Sequence, residues 1–229
     1  MKYAAKKRQK RALIAIAVLA LAAFSSCLKE SDHSSILLND PQDIPLITEY
    51  LPMDLLEVFG EENVHFGDQP PVIDIEFVSN HEYVAIVMDS PNHPQVGDIT
   101  ANLHYHKFSD QYLQIADYYS MTSDEIALAD SRCKLISPVY ISGSGSNFSV
   151  YYYETPQTFG LPEYAVVMSG TVTNGGIKNY RFGYKIMKYN DTINFDPLQH
   201  YPVNSIFVFK DHDDLAQKET WFDDSLLEP

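Results

Sequence analysis

YAVVMSGTVTNGGIKNYRFGYKIMKY, residues 164–189, is the stretch on which the reading of the fold turns. Two apolar runs flank Asn174, Gly175 and Gly176, residues that tolerate the positive φ of a tight hairpin turn. On the return run Tyr180, Phe182, Tyr184 and Ile186 share one face, and Arg181, Gly183 and Lys185 share the other. Upstream, Ile73, Ile75 and Phe77 alternate with Asp74 and Glu76, while Tyr83–Met88 is short and apolar on both faces. Ile99, Ala101, Leu103 and Tyr105 alternate with Thr100, Asn102, His104 and His106. The expectation is that the apolar set faces the core and both histidines face solvent. Gln111–Tyr119, Glu125–Leu135, Val139–Gly143, Phe148–Tyr153 and Ser205–Phe209 read as further strands. Ahead of them Ile47–Phe59 reads as a short helix, with Pro52 and Asp54 suited to a first turn and Gly60 placed to end it. The architecture expected is mainly β: an antiparallel up-and-down β-barrel preceded by one short helix, with a β-sandwich as the alternative. Both hide the edges of a meander of hairpins.

The first residues carry an address. Lys2, Lys6, Lys7, Arg8, Lys10 and Arg11 form a positive head, and Ala12–Phe24 follow as an unbroken apolar run. The run fits a signal-peptide core of about 7 to 15 residues and is shorter than the ~20 a bilayer-spanning helix needs. Ser25 and Ser26 then lead to Cys27, an arrangement that resembles the lipobox of bacterial lipoproteins. The resemblance implies cleavage after residue 26 and acylation of Cys27. One acyl chain binds a membrane only reversibly; two or three hold stably, with no transmembrane helix required. Lys29 and Glu30, directly after the cysteine, resemble the surface-export signal of Bacteroidota lipoproteins. The expected place is the outer membrane, facing outward, with its periplasmic face as the alternative. The domain plan is then signal peptide 1–26, tether 27–45, one β-rich domain 46–222 and a tail 223–229.

Removing residues 1–26 takes six of the sixteen basic residues and no acid, so the formal net charge falls from −15 to −21. Such a field repels phosphate backbones, which argues against nucleic acid as a partner. With Cys27 acylated, Cys133 has no disulfide partner and reads as a buried thiol.

Gly67–Pro71, Ile141–Phe148, Ser169–Thr171 leading to Gly176–Asn179, and Phe209–Asp213 look like landmarks of uncharacterised Bacteroidota outer-membrane lipoproteins. That resemblance implies export and a β domain, and brings no catalytic residue. In outline the chain is also similar to lipocalins, without the Gly-x-Trp of their first strand. Asp191-Thr192-Ile193 and Asp224-Ser225-Leu226 match the Bacteroidota O-glycosylation pattern, which implies glycans on Thr192 and Ser225.

Reactive chemistry is sparsely written. His104 and His106 project to one strand face, and Asp211 and Asp213 follow a strand. These four are weak metal candidates, since no further ligand is indicated and the calcium-loop positions for Gly and Glu hold Ala216 and Phe222. Gly143–Ser146 lacks the form of a nucleophile elbow, and no phosphate loop or dinucleotide fingerprint occurs. No cofactor is expected. Sixteen tyrosines, three of them consecutive at Tyr151–Tyr153, suit sheet packing first and a sugar-stacking platform second. The expected role is a non-enzymatic lipoprotein that binds a small apolar or amphipathic ligand or a cell-envelope protein. The alternatives are a carbohydrate-binding protein of a glycan-uptake system and a fimbrial or adhesin subunit.

Overall fold

Hairpins generate nearly the whole architecture. The computed structural model describes residues 51–89, 94–123, 134–155, 162–189 and 201–220, all within one compact unit, Leu37–Pro229. Among the described residues the helix α1 (Met53–Phe59) precedes ten strands: β1 (Asp68–Gln69), β2 (Glu76–Val87), β3 (Ile99–Tyr112), β4 (Ile115–Thr122), β5 (Lys134–Ser144), β6 (Asn147–Glu154), β7 (Pro162–Thr173), β8 (Gly176–Tyr189), β9 (Ile206–Asp211) and β10 (Leu215–Lys218). From β2 to β8 each strand pairs antiparallel with the next, and β9 and β10 both bridge β8 back to β2. The hydrogen-bond ladder therefore runs round in a ring, and a ring leaves few edges open to stray pairing. The exception to the antiparallel rule is β1, which lies parallel to β5 through Asp68 and Gln69.

The hairpin turn is where the sequence puts it, at Asn174 and Gly175, with Thr173 Oγ1 donating to the carbonyl of Gly176 at 2.8 Å. Several strand limits differ from expectation: β2 begins at Glu76, leaving Ile73 and Ile75 ahead of it, and runs unbroken into the run read separately as Tyr83–Met88. Gln111–Tyr119 is not one strand, because the chain reverses at Leu113 and Gln114, with Leu113 at φ 54°. A further short strand, β10, follows the acidic turn after β9. Among the described residues the helix begins at Met53, behind Pro52, whose missing N–H is harmless at a helix start. It ends at Gly60, at φ 90°, which an L side chain rarely adopts.

Alternation sorts the side chains into two cores. Inside the ring Phe77, Phe108, Tyr118, Ile141, Phe148, Val150, Tyr152, Val166, Met168 and Tyr180 pack together. Their strand neighbours Tyr151, Ala165, Val167, Ile206 and Val208 point outward and pack under α1 against Leu51, Leu55, Leu56 and Phe59. This double burial explains why Phe148–Tyr153 and Ala165–Met168 are apolar on both faces. On β8 the contact with the helix is close: a Cβ on Gly183 would lie 2.8 Å from Phe59 Cδ2. Two residues on, Lys185 Nζ donates to Asp54 Oδ2 of α1 at 2.6 Å.

The inward set on β3 is Thr100, Asn102, His104, His106 and Phe108, whereas Ile99, Ala101 and Leu103 are exposed. The expectation of solvent-facing histidines is thereby corrected: His106 is 2% exposed and faces the ring interior. A polar side chain is tolerated there because each of its ring nitrogens finds a partner.

Candidate functional site

The ring interior carries an unusual layer of polar side chains. On β2 the inward phase set by Phe77 continues to Ser79 and His81, both buried. On β3 it brings His106 and His104 alongside, and β8 contributes Tyr180. His106 is held at both ring nitrogens: Ser79 Oγ lies 2.9 Å from Nε2, and the Tyr118 hydroxyl lies 2.7 Å from Nδ1. The Tyr180 hydroxyl is 3.4 Å from the same Nε2.

His81 is held differently. Its ring stacks on that of His104 at 3.9 Å between centroids and 12° between planes, with Phe182 and Phe209 at 5.2 and 5.1 Å. Its Nε2 is buried and has no hydrogen-bond partner. An unpaired buried acceptor or donor is destabilising, so the position is informative. Desolvation, with His104 and His106 nearby, pushes His81 well below the ordinary histidine value; desolvation and His104 do the same for His106. Both imidazoles are uncharged at neutral pH.

The four weak metal candidates do not form a donor set. His81 and His104 lie face to face, so their ring-plane lone pairs run in parallel sheets and do not converge. His106 is already engaged at both nitrogens. Asp211 is buried with Oδ2 accepting the Asn80 amide at 2.9 Å and Oδ1 accepting the Asp213 amide at 3.1 Å, while Asp213 is exposed at the turn. Among the described residues no group of three or more His, Cys, Asp or Glu is arranged to hold a metal ion.

Beyond His81 the interior becomes aromatic. Phe207 and Phe209 of β9 are buried, and Tyr83, Tyr164, Phe182 and Tyr184 pack against them on the same inward face. These four nevertheless keep partial solvent access. Tyr184 is also surrounded closely enough that desolvation, with Tyr83 and Tyr164 among its neighbours, drives its hydroxyl well above the ordinary value. Burial likewise pushes Tyr83 up to about 12. Four aromatic rings on the inward face thus keep contact with solvent. Close to Tyr184, the Tyr189 hydroxyl donates to the Tyr201 carbonyl at 2.6 Å. The consecutive tyrosines form no platform: Tyr151 lies under the helix, Tyr152 lies inside the ring, and Tyr153 donates to Glu163 at 2.6 Å.

No family model, curated protein or solved structure matches the chain. Cys27, Lys29, Glu30, Thr192 and Ser225 lie outside the described residues, as do Cys133, Trp221 and Phe222. His81 and the partly exposed aromatics of the inward face were missed by motif reading. The usable signal was the phase of Ile73 and Phe77, which, carried forward by twos, reaches Ser79 and His81.

Proposed function

We propose that this chain is an exported lipoprotein, fixed to the outer membrane by acyl groups on Cys27, whose ring of strands holds a small amphipathic ligand. The observation that carries the binding reading is the set Tyr83, Tyr164, Phe182 and Tyr184: four aromatic side chains that face the interior and yet remain half-buried. Aromatic walls with hydroxyl tips suit a ligand with an apolar body and a few polar groups. The role is binding, not catalysis. The export reading is supported by the basic head, the short apolar run and Cys27.

Each half has its own test. For binding, the neutral fluorophore N-phenyl-1-naphthylamine is titrated into wild type and into Tyr184→Trp, which adds bulk to this aromatic set. Saturable binding in the wild type, at least about tenfold weaker in the variant, supports the reading. Equal binding by both refutes it. For the anchor, Cys27→Ala releases the protein from membranes washed with high salt. Equal retention of the variant, with no fatty-acid label on the wild type, refutes lipidation.

A further inference from the structure

His81 sits at a joint in the ring. Phe77 and Val78 pair with β10, whereas from His81 onward β2 pairs with β9. At the same place its register with β3 breaks, between Asn80, opposite Leu103, and Glu82, opposite Ile99. A second irregularity follows against β9, between Tyr83 and Ala85. The backbone of Asn80 is held across the change of partner: its N–H donates to Asp211 Oδ2, and its carbonyl accepts from the His212 amide at 2.8 Å. The ladder is thus locally interrupted where the imidazole stack is buried.

We propose that His81, stacked on His104, makes this joint an acid-sensitive latch, closed while the His81 ring is uncharged and opened when it takes a proton. Face-to-face imidazoles pack as an aromatic pair, but a proton on His81, which is 1% exposed, places a full charge where solvent does not reach. The groups facing His81 offer it little. From β3 come His104 and His106; from β8, Tyr180; from β9, Phe209 and Asp211; and behind His106, Tyr118 of β4 and Tyr152 of β6. Asp211, the register partner of His81, is the carboxylate of this layer, and both of its oxygens already accept backbone amides. Turning it toward a charged His81 would release the bonds to Asn80 and Asp213 that close the joint. On the outer face Glu82 takes His212 at 2.8 Å and Lys210 at 3.6 Å, so it too is engaged. Burial lowers the affinity of His81 for protons, so the open form binds them more readily. The opening constant then rises as pH falls below about 6.5, by up to about tenfold per pH unit for each histidine that charges only in the open form. This inference does not depend on the ligand.

Amide hydrogen exchange on the full chain tests it, with rates corrected for their intrinsic pH dependence, between about pH 7 and about pH 5. Residues 79–87 and 99–106 lose roughly tenfold protection per pH unit, while 147–154 and 162–173 lose less. His81→Phe flattens the slope at the joint. Should His81→Phe fail to fold, His81→Gln, which keeps a polar side chain and takes no proton, replaces it. Equal loss of protection around the whole ring overturns the proposal. So does an unchanged slope in the variant, or an imidazole of His81 that titrates near its ordinary value by NMR.

Discussion

The docking of α1 on β8 can be tested by a double-mutant cycle between Phe59 and Gly183. Phe59 is fully buried, and truncating such a ring to Ala costs about 3–5 kcal/mol through lost transfer energy and the cavity left behind. Gly183→Ala acts in the opposite sense on volume. Its new methyl would stand 2.8 Å from Cδ2 and 3.4 Å from Cε2 of Phe59, inside normal contact, which puts the cost in the range of about 1–3 kcal/mol. With Phe59 already cut to Ala, the methyl enters vacated space. Gly183→Ala then becomes neutral or stabilises by about 0.5 kcal/mol, because Ala loses less backbone entropy than Gly in a strand. The two substitutions therefore couple by about 1–3 kcal/mol. Urea unfolding followed by far-UV circular dichroism gives the four free energies, provided the slopes agree. If Phe59→Ala leaves too little native protein, Phe59→Leu replaces it with a smaller expected coupling. A Gly183→Ala cost that is the same in both backgrounds refutes the docking of the helix at this strand.

Three further outcomes follow from the electrostatics. The folded-state values of His81 and His106 are both lowered, so their contribution is complete above about pH 6.5 and is lost as pH falls toward those values. The slope approaches about 1.4 kcal/mol per pH unit for each, and acid titration of urea stability should show it reduced in His81→Phe. Tyr83, Tyr151, Tyr152, Tyr164, Tyr180 and Tyr184 are all shifted up by burial. Ultraviolet titration at about pH 11 should show fewer phenolates in the native chain than in the unfolded one; equal ionisation with native circular dichroism would contradict their burial. Lys185 is the buried partner of half-exposed Asp54, so Asp54→Asn should destabilise by at least about 1 kcal/mol more than Lys185→Met, since only the former strands a buried charge. Equal unfolding free energies would dispose of that asymmetry.

Much of the fold was legible because hairpins are local. Asn174 and Gly175 announced their turn, and the strands around them follow from period two. The turn at Leu113 and Gln114 gave no such sign, since a leucine at positive φ is a choice made by its surroundings, including Gln111, whose side chain bonds Ile73 and Pro71. Alternation on β3 correctly separated two faces, but nothing local says which face is inside. That was decided by Ser79 and Tyr118, residues from other strands that satisfy His106. The candidate site was hidden for the same reason: His81 acquires its stack only through the register of β2 with β3, and Phe209 its place beside Tyr83 only when strands far apart in sequence meet.

The double role of β2, paired with β10 at one end and β9 at the other, also bears on how the chain finds its fold. From β2 to β8 every pairing joins sequence neighbours and can form as the chain collapses locally. The pairings of β2 with β9 and β10 join residues well over a hundred positions apart, as in His81 with Asp211 and Phe77 with Lys218. The entropy of closing so long a loop grows only slowly with length, yet it must be met before any contact at the joint rewards it. The meander can therefore assemble as an open ribbon, with the meeting of its two ends as the late, slow event. It also follows that the beginning and the end of the ring lie side by side, at Glu76 and Glu219, where the Glu219 amide donates to the Glu76 carbonyl at 3.1 Å. New termini cut into the Asn174–Gly175 turn, with the old ones joined by a linker, would preserve every ladder, shorten the loop between β10 and β2, and make β7 with β8 the long-range pairing.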